Sequence, residues 1–325
     1  MKRVQRHCDQ HLDIVVANTL TSSFFFFFRP RCRFLGVVYN TNWWFKDTRS
    51  PATYFKKLWH LKNILFPFPI YNAFTGVFIR RKILANLDGV VVEYAPLVEQ
   101  VKGRAGFEKP VYYLPSRAAR RVLPGEPTDK TTFVVPGHVQ KMRRDYDTLL
   151  EALRRFPAEA RGKVAFVVLG APIGLYGRRI VREFQQLSCQ GMDVDCAGGF
   201  VPVAEFERKM SAADVIVTPL RREFVDGTVT EIFSHTKASG SFDDALRFCK
   251  PSLVPWFFNS DDRLASCFVR YRDAAHLADL MVECVLDARK LKEWQHTATD
   301  AMQCYSLPNL QERFGSMARD QGLSS

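Results

Sequence analysis

The stretch 236-TKASGSFDDALRFCKPSLVP-255 governs how the chain is read. A loop of small residues runs into an amphipathic helix with Asp243 and Asp244 in its first turn. The helix stops at Lys250-Pro251, and the short apolar strand Ser252 to Val254 follows. A loop–helix–strand unit of this kind belongs to α/β architecture. Backbone N–H groups around Ser239, Gly240 and Ser241 would sit at a helix N-terminus, where unpaired donors and the helix dipole favour an anion. Ser241-x-x-Asp244 is equally the pattern of a capping box, in which both side chains serve the helix's own amides. The two readings stand side by side at this point.

Flanking sequence extends the α/β grammar. From Thr131 onward, apolar runs alternate with helical patterns: Thr132 to Pro136 before Tyr146 to Phe156, Val164 to Gly170 before Arg178 to Leu187, and a helix over Ala204 to Met210 before Asp214 to Pro219. Strands that are apolar throughout indicate a parallel sheet covered on both faces, with ligands at the carboxyl ends of its strands. The first half repeats the pattern with Asp13 to Ala17, Phe34 to Tyr39, Gly89 to Glu93 and Val111 to Leu114, and Pro124 to Pro127 supplies a linker of turn formers. The expected fold is α/β with two Rossmann-like domains, the N-terminal one incomplete. Residues 1–125 form one domain, 126–305 the other, and 306–325 a C-terminal segment whose helix, Asn309 to Met317, crosses back to the first.

Composition sets bounds. A chain of 325 residues, 47% apolar and 25% charged, has the profile of a globular protein large enough for two domains. The eight cysteines form no C-x-x-C pair and have no histidine at metal-ligand spacing, which points to reduced thiols of a cytoplasmic protein and to no metal site. The P-loop and the G-x-S-x-G elbow are absent, and Gly170-Ala-Pro-Ile-Gly174 is too loose for a dinucleotide fingerprint. No segment has the length and continuity to span a membrane. Ile64 to Ile79 is interrupted by Pro67, Pro69, Asn72 and Gly76, and the five-Phe run Phe24 to Phe28 reads as a buried helix start.

Charge is uneven. Residues 1–125 hold 20 Lys and Arg against 7 Asp and Glu, while the remaining 200 hold 26 against 27, so the formal net charge of +12 lies entirely in the first half. There, Tyr54 to Leu84 interleaves Lys56, Lys57, Lys62, Arg80, Arg81 and Lys82 with aromatic residues. That mixture suits the interface of an anionic bilayer and a peripheral location on the membrane. It also fits a nucleic-acid backbone or the solvated face of a core helix. No recognised nucleic-acid module accompanies it, which makes nucleic acid the weakest of these partners.

Val135-Pro-Gly-His-Val-Gln-Lys-Met-Arg-Arg-Asp-Tyr146 with Thr148-Leu-Leu-Glu-Ala152, then Gly199-Phe-Val-Pro-Val-Ala-Glu-Phe-Glu207 with Ala213 to Pro219, then the opening stretch, resemble in that order the retaining nucleotide-sugar glycosyltransferases of the GT-B fold. That group includes bacterial polysaccharide and lipopolysaccharide transferases. The resemblance implies that Arg144, with Gly137, Lys141 and Arg143, binds the donor diphosphate. It implies that Phe200 and Val201 pack against the nucleobase, that Ser239, Gly240 and Ser241 offer amides to phosphate, and that Asp244 holds the ribose hydroxyls. Thr236 falls where the family carries its first acidic residue, and Glu231, Lys237 and Asp243 are its possible substitutes. Asn40, Asn42 and Trp43 are candidates for the acceptor side. The N-terminal domain is shorter than in the family, through truncation, a misassigned start or reduction.

The implied activity is transfer of a sugar from a nucleoside diphosphate-sugar to a glycan or lipid-linked acceptor with retention of configuration. Catalysis would be electrostatic, with Arg144, Asp244, Thr236 and Glu231 as the catalytic candidates, no metal and no cofactor beyond the donor itself. Two alternatives remain: a nucleotide-sugar epimerase on the same fold, and a degenerate GT-B protein that binds or scaffolds without catalysis.

Overall fold

A computed structural model describes residues 2–18, 20, 23–45, 79–104, 106–120, 129–226 and 229–323. Most of the aromatic and basic segment expected to meet a bilayer, including Lys56, Lys57 and Lys62, lies outside the described residues, as does the Pro124 to Pro127 linker. The chain divides into two compact units. One comprises Met1–Leu114, Val225–Ala238 and Gln311–Ser325; the other comprises Pro115–Phe224 and Ser239–Leu310.

The first unit is built on four parallel strands that neighbour one another in chain order: β1 (Ile14–Ala17), β2 (Arg33–Val37), β3 (Gly89–Val92) and β4 (Val111–Tyr113). β3 is buried along its whole length, as its Gly-Val-Val-Val sequence requires of a strand covered on both faces. Leu35, Val37 and Val91 pack with Met317 from the C-terminal helix Leu307–Asp320. The helix over 79–86 ends on Lys109, whose ammonium donates to the carbonyl oxygens of Leu84 at 3.1 Å and Ala85 at 2.8 Å and so satisfies acceptors that the helix leaves open.

The five-Phe run departs from expectation. Ser23–Phe26 is a 3₁₀ turn, and the run leaves it with opposite fates for neighbours. Phe28 is 2% exposed and meets Phe34 edge-on at 5.0 Å, whereas Phe27 is 65% exposed. The tight turn sends successive rings to different sides, so the run cannot bury as one block.

The second unit contains a six-stranded parallel sheet: β5 (Thr131–Pro136), β6 (Val164–Leu169), β7 (Asp193–Cys196), β8 (Val215–Val217), β11 (Ser252–Pro255) and β12 (Phe268–Tyr271). Its spatial order is β12-β11-β8-β5-β6-β7. Chain order runs outward in both directions from the β5–β8 pair, so the topological switch point lies between their carboxyl ends, where open α/β sheets place their ligands. Phe133, Phe166, Tyr146, Phe184 and Leu253 form the centre of the core. Glu223–Asp226 (β9) and Val229–Ile232 (β10) form a separate two-stranded ribbon. No helix among the described residues is long and apolar enough to cross a membrane.

Candidate functional site

At the switch point β5 ends in Pro136, and Gly137 turns the chain with φ +91°, a conformation that side-chain-bearing residues rarely adopt. A Cβ there would lie 2.7 Å from Nη2 of Arg144. Gly170, which follows β6, nests against the same turn, because a Cβ on it would stand 2.0 Å from the Gly137 carbonyl oxygen. The two glycines let two loops and a guanidinium share one crowded edge.

Arg144 is fixed from its backbone outward. Its amide donates to the Gln140 carbonyl at 3.2 Å, and the next amide, on Asp145, donates to the Pro219 carbonyl at 2.7 Å, tying the loop after β5 to the end of β8. Asp145 then caps the helix Tyr146–Arg154 by accepting from the Thr148 amide. Arg144 is 9% exposed; its Nη2 donates to Ser241 Oγ at 3.0 Å, and its buried Nη1 has no partner among the described residues. Burial lowers its pKa from the usual guanidinium value, and Tyr146 and Asp244 partly offset the effect. Arginine nevertheless stays charged, so the second unit carries a buried cation with an unused donor.

The helix Gly240–Phe248 brings its N-terminus to the same place. Its N-cap residue is Ser239, in extended conformation and without a side-chain cap bond. The capping-box reading of Ser241 and Asp244 is therefore overturned: Ser241 is the second residue of the helix, where its hydroxyl accepts from Arg144 instead of from the first-turn amides. The Asp244 carboxylate makes no hydrogen bond among the described residues. Its carboxyl is pushed up to about 6 by burial, against the pull of Arg144, Arg117 and Arg247. Gly240 is exposed, with nothing within 4 Å of where its Cβ would be, so the approach to the helix N-terminus is open.

The other expected residues are placed as follows. Lys141 and Arg143 are exposed on the turn before Arg144, and the Arg143 guanidinium lies 4.7 Å from the centroid of the Phe224 ring. Phe200, 83% exposed, and the half-buried Val201 sit in the loop between β7 and the helix Val203–Ala212. Glu231, Thr236 and Lys237 belong to the first unit, where each has structural partners. The Glu231 carboxylate, fully buried, accepts from the amides of Trp43 at 2.7 Å and Asn42 at 3.3 Å and so caps the short helix Thr41–Phe45. Burial raises its pKa, opposed by Thr236, those two amides and Lys237. Thr236 Oγ1 accepts from the Ile232 amide at 2.8 Å, its carbonyl accepts from the Thr41 amide at 2.7 Å, and Lys237 Nζ donates to Asn40 Oδ1 at 2.5 Å. Asn40, Asn42 and Trp43 thus meet the Val225–Ala238 segment inside the first unit. Two contributors escaped the sequence: Tyr146, whose buried hydroxyl has no partner among the described residues, and Arg117, whose charge acts on Asp244. Nothing in the local pattern of either marks it.

Comparison with solved structures bears on the fold. The chain matches sucrose-phosphate synthase from Thermosynechococcus elongatus over 99% of its own length and 77% of that chain, with a TM-score of 0.65 and 15% identity. Anabaena HepE in complex with UDP-glucose matches over 98% and 81%, with a TM-score of 0.61 and 14% identity. A UDP-forming trehalose-phosphate synthase from Burkholderia vietnamiensis matches over 89% and 68%, with a TM-score of 0.53 and 10% identity. The fold is GT-B. No family model and no curated protein matches the sequence. Within the GT-B frame, the six-stranded sheet with Arg144 is the C-terminal Rossmann-like sheet expected from the sequence, and the four-stranded sheet is its N-terminal counterpart.

Two outcomes are expected. Glu231→Ala removes a buried acceptor for two amides and should lower stability by about 1–3 kcal/mol in urea titration; an unchanged midpoint would show that the helix Thr41–Phe45 does not depend on the cap. Asp244 holds its proton more tightly folded than unfolded, so its ionisation costs stability above about pH 6, and the cost vanishes below the ordinary carboxylate range. Asp244→Asn should therefore melt higher than the wild type at pH 7.5 and flatten the fall in stability between pH 4 and 6. A lower melting temperature at pH 7.5 would contradict the assigned environment.

Proposed function

We propose that the protein is a glycosyltransferase that moves a sugar from a nucleoside diphosphate-sugar to a glycan or lipid-linked acceptor, with retention at the anomeric carbon. The observation that carries this reading is the buried Arg144 guanidinium, held by one arm on Ser241 and unpartnered at Nη1, beside a helix N-terminus without a side-chain cap. A buried cation with an open donor is costly unless an anion completes it, and a diphosphate supplies charge and lone pairs in the geometry that guanidinium and helix amides favour. As the glycosidic bond opens, negative charge grows on the leaving diphosphate, and these fixed donors stabilise it without reorganisation. Ionised, Asp244 can accept from the vicinal hydroxyls of a ribose, and the exposed Phe200 offers a ring to a base. These residues call for no metal. Positive charge concentrated in the first 125 residues fits an acceptor presented on an anionic membrane surface.

One set of contacts favours the rival, non-catalytic reading. Glu231, Thr236 and Lys237, which resemblance places near the donor sugar, are occupied by hydrogen bonds inside the first unit. Two measurements separate the readings. Thermal-shift titration with UDP, GDP, ADP and CMP and their common sugar conjugates should show stabilisation by one nucleoside diphosphate, about 2.7 kcal/mol at a hundredfold excess over Kd. Arg144→Ala should weaken that binding at least tenfold without unfolding the chain. Incubation with the stabilising sugar conjugate should then release nucleotide only when an acceptor glycan is added. Binding without acceptor-dependent release would leave the scaffold and epimerase readings, and equal affinity in Arg144→Ala would remove the proposed site.

A further inference from the structure

A cavity lies in the six-stranded unit, adjoining the Arg144 loop through Asp145, Leu220 and Arg221. It has a volume of about 800 Å³ and opens beyond the carboxyl ends of β8, β11 and β12, beside the N-termini of the helices Tyr146–Arg154 and Ala274–Leu286. None of Gly137, Arg144, Ser241 or Asp244 lines it. The size is that of pockets which enclose small organic ligands.

Trp256 dominates its wall. The turn after β11 is anchored by Phe258, which is 2% exposed, packs against Phe268 at 5.0 Å and donates its amide to the Pro255 carbonyl. Two residues earlier the same turn leaves Trp256 with 56% of its surface exposed. The indole is not loose: Phe257 meets it edge-on at 5.8 Å and the Arg222 guanidinium lies 5.6 Å from its centroid. A rigid, exposed aromatic ring held from two sides is a stacking platform, since burial of its face has been sacrificed while its orientation has been kept.

The charges decide what stacks there. The cavity wall contains four arginines and four carboxylates, so it carries no net charge. Several are already paired: Arg155 with Glu151 at 2.8 Å, Arg221 with Asp145 at 3.9 Å, and Asp273 with the His276 amide at 2.9 Å. The Glu223 carboxylate and the Arg272 guanidinium make no side-chain hydrogen bond or ion pair among the described residues, although the charge of Arg272 acts on the neighbouring Asp273. An acceptor-only group and a donor-only group lining the same cavity as an aromatic ring match vicinal hydroxyls, which both donate and accept. A phosphate or nucleotide would gain no net charge attraction from this balanced wall and would meet the Glu223 carboxylate as a repulsive neighbour. We infer that this cavity is a second binding site, for a neutral oligosaccharide, with Trp256 as its stacking platform and Glu223 and Arg272 as its hydroxyl-binding groups.

This inference stands independently of the proposed transferase activity, because it concerns residues that the diphosphate cradle does not use. The test is a glycan array carrying neutral and anionic oligosaccharides, probed with the full chain, Trp256→Ala, Trp256→Phe and Arg144→Ala. Expected is binding to neutral glycans of at least one linkage class, reduced tenfold or more by Trp256→Ala, largely kept by Trp256→Phe and unchanged by Arg144→Ala. Glu223→Gln should weaken the same glycans severalfold, and its melting temperature gives a check on folding, since Glu223 is exposed. Binding confined to anionic glycans, binding indifferent to Trp256→Ala, or no glycan bound at all would each overturn the inference.

Discussion

The guanidinium of Arg144 is the constraint around which the second unit is arranged. Burying Arg144 to 9% exposure goes with a glycine at 137, whose φ of +91° disfavours a side chain and which stands close to Nη2, and with a second glycine at 170 so that the neighbouring loop can close over the turn. It requires Ser241 inside the helix rather than at its cap, so that a hydroxyl meets the guanidinium and the helix start keeps no side-chain cap bond. It also accounts for Asp244, a partly buried carboxyl whose charge is supported by the same arginine. Each of these choices costs stability in the isolated chain, and all four point at one spot on the switch-point edge.

The first unit shows the opposite economy. Glu231 is fully buried, yet its carboxylate meets two backbone amides and a threonine hydroxyl, and Thr236 and Lys237 are tied to neighbours in the same unit. The segment Val225–Ala238 leaves one compact unit to complete the other, and its polar groups are spent on that junction of chain with chain. Its acidic and basic residues therefore report on local folding first, whatever contact with substrate the proposed transfer adds.

Legibility in the sequence followed burial. β3, β5 and β6 were plain because continuous Val, Phe and Leu runs can only be interior strands of a parallel sheet. β7, with the sequence Asp-Val-Asp-Cys, and β12, with Phe-Val-Arg-Tyr, were not, because each is an edge strand paired on one side and carries charge toward solvent. Gly137 and Arg144 were singled out by resemblance alone, because neither the turn conformation at 137 nor the burial of a guanidinium can be read from the local residue pattern. The competition between cap and cradle at Ser241 was not legible, since both need the same residues and only the position of the helix start, Ser239 as N-cap, separates them. Trp256 gave no signal either: an aromatic residue after an apolar strand is usually core, and its exposure depends on Phe258 having taken the buried place.

The most direct measurement is a crystal structure of the chain with the nucleoside diphosphate that stabilises it. A phosphate oxygen within hydrogen-bond distance of Arg144 Nη1, with a second on the amides at Gly240 and Ser241, is the result expected of the diphosphate cradle. A nucleotide bound elsewhere, with Nη1 turned away from it, would contradict the assignment of this edge as the donor site.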